Sequence, residues 1–167
     1  MLEIIPNLHP IFVHFTVALI SSAIGLFLIA WFIGKKPIQK QLLTVANWNL
    51  WLGAGFTIIT IAAGWFAYNT VTHDTASHIV MDIHRNLALA TLVVILSIAF
   101  WSWKYQTKII NPILLLAVLS LLMTTAWYGG ELVYRHGIGV MSLPNTEVFQ
   151  GPTRPETDDH NTDNHTH

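Results

Sequence analysis

Histidine is the main chemical resource of this chain: nine are present, and no cysteine. The missing thiols exclude disulfides, thiolate metal sites, iron–sulfur clusters and haem attached covalently through Cys-x-x-Cys-His. Imidazole alone can still ligate a transition metal or a haem iron, or carry a proton. Six histidines precede the C-terminal tail: His9, His14, His73, His78, His84 and His136. No Ser-His-Asp set, His-Glu-x-x-His motif or carboxylate pair accompanies them, so hydrolytic chemistry has no support.

The elements that must position these residues follow from charge. Hydrophobic residues make up 53% of the 167 and charged residues 10%, with a mean hydropathy of +0.51, against about 25% charged in an ordinary soluble domain. Between Glu3 and Lys35, Lys40 and Asp74, Arg85 and Lys104, and Lys108 and Glu131, histidine is the only ionisable side chain that changes charge near neutrality. Crossing about 30 Å of hydrocarbon takes about 20 helical residues, and each gap holds one such helix. The pattern predicts an all-α, integral membrane four-helix bundle over residues 1–140, with helices at about 10–33, 46–69, 82–103 and 111–134. Residues 141–167 form a polar tail ending Asp158-Asp159-His160-Asn161-Thr162-Asp163-Asn164-His165-Thr166-His167, whose composition predicts disorder.

The connections holding Lys35, Lys36 and Lys40, and Lys104 and Lys108, carry every lysine and no acid. By the positive-inside rule they stay cytoplasmic, which puts both termini outside, in the periplasm of a bacterial inner membrane. Trp31, Trp48, Trp51, Trp101 and Trp103 flank these connections, while Trp65 and Trp127, with Tyr68, Tyr128 and Tyr134, mark the other boundary. The first apolar stretch is longer than a signal-peptide core and follows no basic region, so it reads as a retained helix. A net charge of −1 gives no sign of nucleic-acid binding, and lipid is the expected surrounding.

All six histidines then fall at the outer side. His14 and His84 lie deepest among them, where an ionisable group is costly and usually functional. Below His14 the small residues Ala18, Ser21, Ser22 and Gly25 suggest a groove for a flat ligand; Ala88 and Thr91 follow His84 in the same phase. Haem b between helices 1 and 3 would use His14 and His84 as axial ligands and Arg85 or Arg135 for its propionates. His9 and His78 are candidates for second ligands or a second metal site. The same residues also suit structural hydrogen bonding, and His9 before Pro10 suits a helix start. Glu131 is placed to pair with Arg135 at i+4. Gly137 is placed to end helix 4 in a left-handed cap. In the tail, His160, His165 and His167 among aspartates suit weak, exchangeable copper or zinc. Each half also opens near a histidine (His14, His84) and returns through an aromatic pair (Trp65-Phe66, Trp127-Tyr128), a faint internal repeat.

Two segments resemble a known family: His9-Pro10-Ile11-Phe12-Val13-His14-Phe15, and Gly129-Gly130-Glu131-Leu132-Val133-Tyr134-Arg135-His136-Gly137-Ile138-Gly139-Val140. They are similar to those of small bacterial four-helix membrane proteins catalogued as a domain of unknown function and labelled "predicted membrane protein". The resemblance spans about 4–140 and excludes the tail. Members occur attached to, or encoded beside, c-type cytochrome modules, which implies electron transfer near the outer membrane face. The combined expectation is a b-type cytochrome-like protein passing electrons between quinol and a periplasmic c-type cytochrome, alone, as a homo-oligomer or as a subunit of a larger complex. The alternatives are a non-enzymatic membrane subunit, or a transition-metal-handling protein using the outer histidines and the tail. A purely structural bundle is the third, and transport is disfavoured by the lack of a buried midplane Lys, Arg or Asp.

Overall fold

The computed structural model describes residues 8–70, 75–105 and 110–139. They form four helices, α1 (His9–Ile33), α2 (Pro37–Thr70), α3 (Thr75–Lys104) and α4 (Pro112–Tyr134), with no strand among the described residues. All four are long and apolar enough to cross a membrane, where only a helix or a closed barrel can satisfy every backbone amide. The chain is a multi-pass membrane protein. Its tail, including His160, His165 and His167, lies outside the described residues, as does His73.

Proline sets the helix starts. Pro10 lies in the first turn of α1, Pro37 opens α2, and Pro112 opens α4 behind Asn111, whose side chain accepts the Ile113 N–H at 2.9 Å. A first-turn proline forfeits no helical hydrogen bond and arrives with the right φ. α2 therefore starts well before residue 46, and Lys40 sits inside it instead of in a loop. At about 1.5 Å per residue its 34 residues reach about 50 Å, so part of it extends beyond a bilayer. α3 likewise begins at Thr75 and not near 82. α4 closes as expected: Gly137 has φ 61°, its N–H donates to Val133 O at 3.1 Å, and Ile138 N–H donates to Leu132 O at 3.0 Å.

The helices run alternately up and down. Each packs on its neighbours in the order α1, α2, α3, α4 and back to α1, so α1 and α3 occupy opposite corners. Contact is closest within the α1/α2 pair, where Gly53 lets Ile20 approach so closely that a Cβ would lie 2.6 Å from its Cδ1. The dry core belongs to the half of the bundle nearest the lysines. It contains Ile20, Ile24, Phe27, Leu50, Ile95 and Leu115, and the buried Ser102 hydroxyl donates to Asn47 Oδ1 to tie α3 to α2. Exposed Trp31, Trp48, Trp101 and Trp103 ring that lysine end, and exposed Trp65, Trp127 and Tyr134 ring the other, as amphipathic aromatics do at two interfaces.

Four threonines, one per helix, close the dry core on the histidine side. Thr16 and Thr60 are bridged hydroxyl to hydroxyl at 2.8 Å, and Thr91 and Thr125 at 2.9 Å; all four are buried. Beyond this tier the bundle opens into a cavity.

Candidate functional site

The cavity of about 450 Å³ draws on all four helices and on the turn after α4, within the range of about 300–1,000 Å³ usual for small-molecule sites. Ile61, Met81, Ala88, Leu132 and Ile138 supply apolar wall. Two imidazoles face each other in it. His9, from α1, and His84, from α3, have ring centroids 6.2 Å apart and planes crossed at 81°.

Each ring is fixed in the same way. His9 Nδ1–H donates to Thr60 O on α2 at 3.0 Å, and His84 Nδ1–H to Thr125 O on α4 at 3.0 Å. A carbonyl can only accept, so the proton is on Nδ1 in both, and Nε2 is the basic nitrogen in both. One turn beyond each carbonyl stands a glycine. A Cβ on Gly64 would lie 2.8 Å from His9 Cε1, and one on Gly129 3.2 Å from His84 Cε1. The missing side chains are what let both rings lie against a neighbouring backbone.

These contacts expose an internal repeat in a register different from the expected one. One constant offset relates His84 and Thr91 to His9 and Thr16, and a second relates Thr125 and Gly129 to Thr60 and Gly64. The unit is a two-helix hairpin carrying His-x6-Thr on its first helix and Thr-x3-Gly on its second. The aromatic pairs Trp65-Phe66 and Trp127-Tyr128 do not correspond under these offsets.

His9, and not His14, therefore faces His84. Five residues along a helix turn a side chain about 140° around its axis, whereas seven return it to nearly the same face, so Thr16 follows His9 inward and His14 points away. His14 is exposed, and its Nδ1–H donates to Pro10 O of its own helix. Ala18 and Ser22 are exposed with it, while Ser21 and Gly25 are half-buried, so only part of the expected groove faces outward. On α2 the small residues Gly53, Thr57 and Thr60 are buried, and Gly64 lies against His9.

Arg85 lines the cavity; Arg135 does not. Arg135 is largely exposed and pairs with Glu131 at 3.1 Å, the i+4 contact expected. Arg85 Nη1 donates to Tyr68 Oη at 2.9 Å and lies 3.1 Å from Asp82 Oδ1, which also accepts from Tyr68 at 2.8 Å. His78, half-exposed, stands 3.8 Å from Asp82 Oδ2 and outside the cavity lining. His136 lies in the turn after α4. Among the described residues no group of three or more His, Asp or Glu converges as a metal site. The sequence marks Tyr68 only as an outer-edge aromatic and His9 only as a second ligand, whereas both line the cavity. The repeated His-x6-Thr spacing was the signal that ranks His9 with His84.

Residues 5–142 match the family model described as "Predicted membrane protein (DUF2231)". The chain belongs to this family. Neither a curated protein nor a solved structure matches it. Family membership agrees with the four spans, and its description says nothing of chemistry.

Proposed function

We propose that His9 and His84 are the two axial ligands of a haem b, and that the protein is an inner-membrane, b-type cytochrome-like carrier of single electrons. The facing imidazole pair carries the proposal. The two rings come from different helices and stand 6.2 Å apart, centroid to centroid, in one cavity, and two histidines are what a haem iron would ask of the protein. Both rings present Nε2 as the basic nitrogen, held by the kind of Nδ1–carbonyl bond that orients metal-ligating histidines.

The donor set favours haem over a bare ion. Copper or zinc bound by protein usually takes three or four side-chain ligands, and among the described residues none joins the pair to make three. A porphyrin brings four nitrogens of its own and asks the protein only for axial ligands. The apolar wall suits its faces. Haem bound there would supply one-electron chemistry. Quinol and a periplasmic c-type cytochrome are the proposed donor and acceptor, since the lysines lie at the far end of the bundle and the cavity at the end assigned to the periplasm by charge.

A reduced-minus-oxidised absorption spectrum of the detergent-purified chain, made in haem-sufficient cells, tests this. The expected result is a low-spin Soret and α band that His9→Ala and His84→Ala each abolish and His14→Ala leaves intact. A wild-type protein without a Soret band overturns the proposal, and a band surviving both cavity substitutions overturns the ligand assignment.

A further inference from the structure

The two hairpins build a near-symmetric cavity and then break the symmetry at one edge. Under the offsets above, five corresponding pairs line it: His9 with His84, Pro10 with Arg85, Gly64 with Gly129, Ala67 with Leu132, and Tyr68 with Val133. Three of the pairs keep their character. The other two change polarity together, and their polar members meet, with Arg85 donating to Tyr68 where α3 packs on α2. The equivalent place between α1 and α4 offers Pro10 and Val133, with Ile138 beside them in the cavity wall.

We infer that the cavity accepts its flat ligand in one orientation only, with a single acidic edge against Arg85 and the opposite apolar edge against Pro10, Val133 and Ile138. The inference rests on the haem reading and adds a polarity to it: the carboxylates of the porphyrin lie on the α2/α3 side. Arg85 keeps donors for such a group. Nη1 is committed to Tyr68 and Asp82, while Nε and Nη2 reach only Asn86 Oδ1, at 3.4 Å each. A guanidinium has five N–H groups in a fixed fork, so a carboxylate can replace the long Asn86 contacts without disturbing Nη1. Tyr68 is the positioning residue: its hydroxyl accepts from Arg85, and its ring lies 5.0 Å from the guanidinium carbon. Asp82 offsets part of the positive charge, so recognition comes from the fork's geometry more than from net charge.

The test titrates the full detergent-purified chain with protohaem and, separately, with its dimethyl ester, which keeps the macrocycle and removes the acid. Arg85→Gln is expected to weaken protohaem at least about tenfold and the ester less than about twofold, since the carboxylate loses the charge-assisted donors Nε and Nη2. Arg85→Lys should behave like Arg85→Gln, because it keeps the charge but not the fork. Arg135→Leu should leave the preference for the acid unchanged. Equal losses for both ligands, a preference that survives Arg85→Gln, or a preference removed by Arg135→Leu overturns the orientation while leaving the haem reading standing. Wild-type protein on which neither ligand develops a Soret band overturns the haem reading and the orientation with it.

Discussion

Replacing Gly64 with alanine puts the arrangement of the site under a test that needs no ligand. The new Cβ would lie 2.8 Å from Cε1 and 2.9 Å from Nδ1 of His9, and the ring cannot turn aside without giving up its bond to Thr60 O. Overpacking of this kind costs about 1–3 kcal/mol and the hydrogen bond about 1 kcal/mol. Alanine recovers about 1 kcal/mol of helix propensity, so Gly64→Ala should lose about 1–3 kcal/mol net. At Gly129 the nearest imidazole atoms are 3.2 and 3.6 Å away. A shift of a few tenths of an ångström relieves that contact, and Gly129→Ala should lie within about 1 kcal/mol of wild type. In the His9→Ala background the obstruction is gone, and Gly64→Ala should become stabilising by up to about 1 kcal/mol. Reversible unfolding in mixed micelles, followed by tryptophan fluorescence, measures the three differences and their coupling. If Gly64→Ala costs no more than Gly129→Ala, or costs as much without His9 as with it, the imidazole does not sit where these distances put it.

Two further substitutions test the packing around the cavity. Thr125→Val should destabilise by only about 1 kcal/mol in the same unfolding measurement, because Thr91 keeps its bond to Leu87 O at 2.7 Å when its partner hydroxyl is lost; a loss above about 3 kcal/mol would mean the threonine tier carries more than this bridge. Glu131→Gln should change stability by less than about 0.5 kcal/mol, since the Arg135 side chain it pairs with is 74% exposed, and raising the salt concentration should shrink even that difference.

Charge scarcity, lysine placement and the tryptophan girdles made four spans legible, because a membrane penalises each exception to those patterns heavily. The helix starts were less legible. The charge of Lys40 points to a loop and Pro37 to a helix start, and a helix that outruns the hydrocarbon can carry lysine freely. In the site, His84 and Arg85 were visible as types suited to a buried pocket. Which histidine of α1 lies beside His84 was not legible, because His9 and His14 differ by about 140° around α1, and the packing of the helices decides which face is inward. Tyr68 was illegible for a similar reason: its bond to Arg85 depends on the rotation of α2 against α3, which no spacing within either helix encodes.

The imidazoles meet across a diagonal, and that has a mechanical consequence. Helices within each hairpin hold each other closely, whereas α1/α4 and α2/α3 join the hairpins along lighter seams. The cavity straddles both seams at the end where the dry core has already stopped. An occupant gripped by His9 and His84 would act as a rivet between the hairpins, and its binding free energy would appear as resistance to splaying them apart, growing with the logarithm of its concentration.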